Sequence, residues 1–134
     1  MDRTQPPTRR ELEILSILWQ RGEATVREVY EAMRERAPIV QNTVQAFLRT
    51  MEEKGMVTHR AKGRAFVYRP VDSRNRTGRR LMERILDNVF DGAVDQLVET
   101  LFSHRAPSEL EIKRLEEIIE RAKTKEQSKR KKKQ

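Results

Sequence analysis

Residues 41–70 read QNTVQAFLRTMEEKGMVTHRAKGRAFVYRP. Val44, Phe47, Leu48 and Met51 stand at offsets 0, 3, 4 and 7, the spacing of one buried helix face. Gly55 stops that helix, because glycine adopts the left-handed backbone that closes a last turn at little cost. Two runs rich in strand formers follow, around 56–60 and 64–69, with Ala61-Lys62-Gly63 between them as the tip of a hairpin. Phe66 and Tyr68 share one face of the second run, so one or both are expected to pack on the helices.

Working back toward the N-terminus, two more helices announce themselves by their caps. Thr8 with Glu11, and Thr25 with Glu28, are capping boxes, in which each residue satisfies a backbone N–H of the other. The first opens a helix over about 8–20 with Leu12, Leu15, Leu18 and Trp19 on a broad apolar stripe. The second opens a helix with Val26, Val29, Tyr30 and Met33 on one face, ending before Pro38. Residues 1–7 hold two prolines and no periodicity, and read as a flexible start.

Beyond Pro70 the pattern turns helical again, over about 73–90, 93–103 and 108–122, the last opened by a Ser108/Glu111 capping box. The apolar positions Leu81, Ile85, Val94, Leu97, Val98, Leu101, Phe102, Ile112, Leu115 and Ile119 recur at helical spacing. Three short helices this rich in apolar residues cannot hide them against so small a first domain, and are good candidates for burial against a second subunit. Folding back into one monomeric core is the alternative. Residues 123–134 are Lys-rich, with almost no apolar residue, and read as a basic disordered tail.

The fold class is therefore mostly α with a small β-hairpin: an N-terminal winged helix-turn-helix over 8–71 and a C-terminal three-helix dimerisation region over 72–122. Charge is divided along the same lines. Residues 1–80 carry +7, residues 81–122 carry −5 and residues 123–134 carry +6, within a net +8. A basic front suits a polyanion; an acidic middle does not.

In such a motif the second helix of the pair enters the major groove of DNA. Asn and Gln suit adenine, Arg suits guanine, and Thr or Ala suits the thymine methyl. The third helix offers Gln41, Asn42, Thr43, Gln45, Ala46 and Arg49, with no acid before Glu52. A solvated polar face is the bland reading of the same residues. Around the hairpin tip, Arg60, Lys62 and Arg64 are placed to hold phosphates, or merely to protect an edge strand. Arg74, Arg76, Arg79 and Arg80 at the start of the fourth helix read as a solvated face.

Catalytic chemistry is not readable. There is no cysteine, no Ser-His-Asp set and no phosphate cradle, and His59 and His104 lack a second ligand at metal spacing. Glu52/Glu53 and Glu116/Glu117 read as solubility. No enzyme activity, metal or cofactor is expected. With no apolar run near 18 residues and no secretory segment, the chain is expected to be cytoplasmic, without membrane insertion.

The segments TRRELEILSILWQRGEATVREVYEAM (8–33) and TVQAFLRTMEEKGMV (43–57), and the Leu97, Leu101, Phe102 spacing ahead of SELEIKRLEEIIE (108–120), resemble the penicillinase repressor family of BlaI/MecI type over about residues 8–122. The resemblance implies a homodimeric transcriptional repressor. Its winged helices bind a palindromic double-stranded operator, and the C-terminal helices of two subunits interlock. Two recognition helices then lie about one DNA turn apart, roughly 34–36 Å or a multiple of it. In some members a membrane sensor-protease signals cleavage at an Asn-Phe pair in the dimerisation region. Thr100-Leu101 stands at that place here, a departure from the pattern. Copper-sensing relatives use a cysteine-rich C-terminus, which this chain lacks. The Lys-rich tail extends beyond the family core, as extra DNA affinity or as a solubilising end. A winged-helix regulator released by a small ligand, and a winged helix used as a protein-interaction module, are the alternative functions.

Overall fold

The computed structural model describes residues 5–133. Of the expected flexible start, residues 1–4 lie outside the described residues. The elements run α1 (Arg9–Arg21), β1 (Ala24–Thr25), α2 (Val26–Arg34), α3 (Gln41–Glu53), β2 (Val57–Lys62), β3 (Ala65–Pro70), α4 (Arg74–Val89), α5 (Val94–His104) and α6 (Glu109–Lys133). The chain divides into two compact units after Ile85, inside α4, whereas the sequence suggests a boundary after residue 71. Side chains explain the difference. Trp19 Nε1 donates to the Asp72 carbonyl at 2.9 Å, Arg80 pairs with the Asp72 carboxylate at 2.9 Å, and the Arg74 guanidinium lies 5.7 Å from the Trp19 ring centre. The first turns of α4 are thereby tied to α1.

The first unit is built on local signals. Thr8 caps α1 and Thr25 caps α2, each in a complete box with its glutamate. Ile14 and Leu18 of α1, Val29 and Met33 of α2, and Val44, Leu48 and Met51 of α3 are fully buried in one cluster. Val57 and Tyr68 complete it from the sheet. Burying a side chain of this size contributes about 1.5–3 kcal/mol, and the helical spacing is what points them all at one another. Phe66, by contrast, is half exposed, so only Tyr68 of the expected pair packs on the helices.

The sheet has the order β1-β3-β2, antiparallel throughout, with β3 at its centre. The two-residue strand β1 is too short to leave a pattern in the sequence. The hairpin also differs from expectation. Ala61 and Lys62 remain in β2, Lys62 pairs with Ala65, and the tip is Gly63-Arg64. Gly63 has φ +63°, and a two-residue hairpin tip of type II′ takes glycine at its first central position. Register, not composition, decided where the turn fell.

Among the described residues of this unit, one charged side chain is buried. Glu11 accepts the Thr8 backbone N–H at 2.8 Å and the Lys54 ammonium at 3.0 Å, joining the start of α1 to the residue that ends α3. Burial pushes the Glu11 carboxyl up, but the Thr8 N–H and Lys54 outweigh it and hold the group below its ordinary value of 4.5. The unfolded chain therefore takes up this proton at higher pH than the folded one. The resulting stability is complete above about pH 5 and is lost as pH falls through the folded-state value. Glu11→Gln is expected to cost about 1–2 kcal/mol at neutral pH and to flatten the acid limb of stability. Thermal unfolding across that pH range checks both.

In the second unit the last turn of α4 is followed by α5 and α6. No residue of α4 or α5 is buried. The sequence suggests disorder from residue 123, but α6 continues to Lys133. Nothing in that stretch breaks a helix: there is no Gly or Pro, and apart from Thr124 and Ser128 it consists of Lys, Arg, Glu and Gln, all of good helix propensity. Cations near a helix C-terminus are also favoured by the macrodipole. Gln134 lies outside the described residues. Among the described residues no helix is long and apolar enough to cross a membrane.

Candidate nucleic-acid interface

The inward residues of α3 decide its outward ones. With Val44, Leu48 and Met51 at 0% exposure, the helix can rotate no further, and Gln41, Asn42, Thr43, Ala46 and Arg49 face solvent. Gln45 is half-buried. The helix begins at Val40 with no side-chain cap and no acid in its first turn, unlike α1 and α2. The first turn of α3 therefore supplies no carboxylate of its own to the positive end of the dipole.

The opposite end of α3 is held fast. Lys54 pairs with Glu11, and Glu52 meets His59 of β2, with Nδ1 2.7 Å from both carboxylate oxygens. The His59 ring sits 4.5 Å from Phe66 and 5.3 Å from Tyr68, centre to centre. Burial pushes the Tyr68 hydroxyl up, and Glu52 adds to it. A carboxylate that reads as solubility and a histidine that reads as isolated thus form the joint between α3 and the hairpin. Their separation of seven residues crosses a turn and a strand start, so no local spacing rule exposes them.

The wing residues do not behave alike. Lys62 and Arg64 are exposed at the tip, with no ion-pair partner among the described residues. Arg60 is engaged instead: its Nη2 lies 2.8 Å from Glu23 Oε1, just ahead of β1. Arg60 therefore has a contact within the protein that the sequence did not signal. In the cluster at the start of α4, Arg76 and Arg80 pair with Asp72 and Arg74 covers Trp19, so three of those four arginines have partners. No group of three His, Cys, Asp or Glu among the described residues could hold a metal ion.

The expected dimerisation residues are placed on the helices as their spacing requires, and none is buried within the chain. Leu81, Leu97, Val98 and Leu115 are half-buried. Ile85, Val94, Leu101, Phe102, Ile112 and Ile119 are exposed, several by more than half. Thr100-Leu101 lies within α5, and both residues are exposed.

Three packed helices, a short antiparallel sheet and an outward polar face on the third helix define a winged helix-turn-helix, the architecture of DNA-binding transcriptional regulators. The family model of the penicillinase repressor matches residues 7–121, and the chain belongs to that family. It is 24% identical over 110 residues to the "Penicillinase repressor" of Bacillus licheniformis, covering 82% of this chain and 86% of the relative. The solved DNA-binding domain of the repressor BlaI matches 55% of this chain and 90% of its own, at 26% identity and a TM-score of 0.50. A complex structure of hsRosR-S4 matches 91% of this chain and 94% of its own at a TM-score of 0.51; at 18% identity it bears on fold alone.

Proposed function

We propose that this repressor acts as a homodimer on an inverted-repeat operator, with α3 in the major groove and the Lys62/Arg64 tip on adjacent phosphates. The observation that carries the reading is the solvent face of α3: Asn, Gln, Thr, Ala and Arg side chains with no carboxylate among them, beside an exposed basic tip. Asn42 and Arg49 offer the bidentate geometries that suit adenine and guanine. Lys62 and Arg64 neutralise charge without reading sequence. The exposed apolar positions of α4, α5 and α6 support a subunit interface, because a soluble monomer gains nothing by presenting ten large apolar side chains between Met82 and Ile119. An isologous interface would match the symmetry of an inverted repeat.

The test begins with selection of bound duplexes from a random pool. An inverted repeat is expected. Asn42→Ala or Arg49→Ala should relax selection at particular base pairs, by about 1–3 kcal/mol each. Lys62→Ala with Arg64→Ala should instead weaken all duplexes alike and lower the salt slope by about 0.9 for each phosphate left unneutralised. Selected pools with no shared motif, or variants that leave preference and slope untouched, sink the reading.

Release by cutting within the dimerisation region is a finer part of the proposal, with a protease of a membrane sensor system as the agent. Exposure of Thr100-Leu101 supports access, and a cut there would divide α5. A protease binds extended chain, so α5 must open locally first. Fragments recovered on induction and ending at Thr100 would support this; an intact chain under inducing conditions would end it.

A further inference from the structure

The helical continuation of α6 through residues 121–132 has no role in the reading above. Ala122 is its one apolar residue, and every side chain along it is exposed. A helix that is polar all round has no face to bury and gains nothing from tertiary packing. Its charge is also one-sided. The first half of α6 mixes Lys113 and Arg114 with five glutamates, as a solubilising surface does; beyond residue 120 Glu126 is the sole acid.

Within this stretch the cations fall into two sets. Lys123 pairs with Glu120 at 3.2 Å, and Arg130 with Glu126 at 3.7 Å. Arg121, Lys125, Lys129, Lys131 and Lys132 have no ion-pair partner among the described residues. Arg121, Lys125, Lys129 and Lys132 stand at offsets 0, 4, 8 and 11, which is one face of a helix, and Lys131 at offset 10 lies off it. Successive members are about 4.5–6 Å apart along the axis. Like charges at this spacing repel one another along the isolated helix. A row of phosphates turns the same repulsion into attraction, and releases counterions as it does so.

We infer that the Arg121, Lys125, Lys129 and Lys132 stripe is a second, sequence-independent binding surface for the phosphate backbone of duplex DNA. It rests on the reading of the chain as a DNA-binding repressor. The stripe raises affinity for every duplex by a common factor and adds nothing to the discrimination between operator and other DNA. It contains no side chain able to reject an incorrect base by shape, and its lysines meet phosphate as point charges.

The experiment uses the full-length chain and two duplexes, one carrying the selected inverted repeat and one of unrelated sequence, titrated at several salt concentrations. Lys125→Gln, Lys129→Gln and Lys132→Gln in one chain should weaken the unrelated duplex at least about tenfold and reduce its salt slope by about 2–3 units. The arginine triple variant K125R/K129R/K132R should keep both, since only charge is required. Helix content by circular dichroism and subunit mass in solution should not change, because these side chains support no core. A glutamine variant with the wild-type slope overturns the inference, whatever the operator data show. Wild-type protein that shows no preference for the repeat, yet a slope that depends on the stripe, overturns the operator reading and leaves this one standing. A second candidate anion is lipid. Loss of binding to phosphatidylglycerol vesicles with DNA affinity untouched would assign the stripe to a membrane surface and overturn it.

Discussion

A chain carrying Leu97→Asp or Leu115→Asp is expected to run as a monomer and to lose about 10²–10⁴ in affinity for the inverted repeat. Both leucines are half-buried within one chain and lie among exposed apolar residues of α5 and α6. In a two-fold interface each substitution appears twice, so two carboxylates lose water with nothing to pair them. Neither residue belongs to the α3 face or the wing, so contact with a single half-site should survive. Affinity for a half-site duplex therefore separates loss of pairing from loss of fold, and sedimentation measures the pairing directly. A folded dimer with wild-type operator affinity would remove this surface from the proposal.

Leu48→Ala is expected to cost about 2–5 kcal/mol in stability and to lower the melting temperature by on the order of 10 °C or more. Leu48 is fully buried in the cluster that joins all three helices of the first unit to Val57 and Tyr68. A domain of this size has about 5–15 kcal/mol in total, so much of its margin depends on this side chain. Arg49, its neighbour in sequence, points outward. Arg49→Ala should leave the urea midpoint almost unmoved while changing base preference. The two adjacent positions thus separate folding from reading. Equal destabilisation by both would mean that the rotation of α3 has been assigned wrongly.

How far the fold was legible depended on how local each signal is. The caps at Thr8, Thr25 and Ser108 each need a partner three residues away, and all three are present as hydrogen bonds. The rotation of α3 followed from Val44, Leu48 and Met51 alone. The hairpin was visible, but its tip was displaced because Ala61-Lys62-Gly63 and Gly63-Arg64 are both acceptable turn chemistry, and pairing along β2 and β3 chose between them. The ties of Lys54 to Glu11, Arg60 to Glu23 and His59 to Glu52 were not legible at all. Two of them span 43 and 37 residues, and charged residues offer no periodicity that would name a partner. The length of α6 was missed for a different reason. A Lys-rich composition is shared by disordered tails and by solvated helices, and the absence of a helix breaker was the feature that mattered.

The position of β3 sets an order of assembly. Ala24 and Thr25 pair with Tyr68 and Val67, and Tyr68 also supplies part of the cluster on which all three helices rest. A chain ending at α3 has β1 without its partner strand and lacks the ring that Tyr68 adds to the cluster. Pairing between residues this far apart in sequence forms more slowly than local contacts do. The wing is consequently no detachable accessory of the helices. A nonsense codon or nick that removed β3 would cost the molecule its closure before any question of touching a phosphate arose.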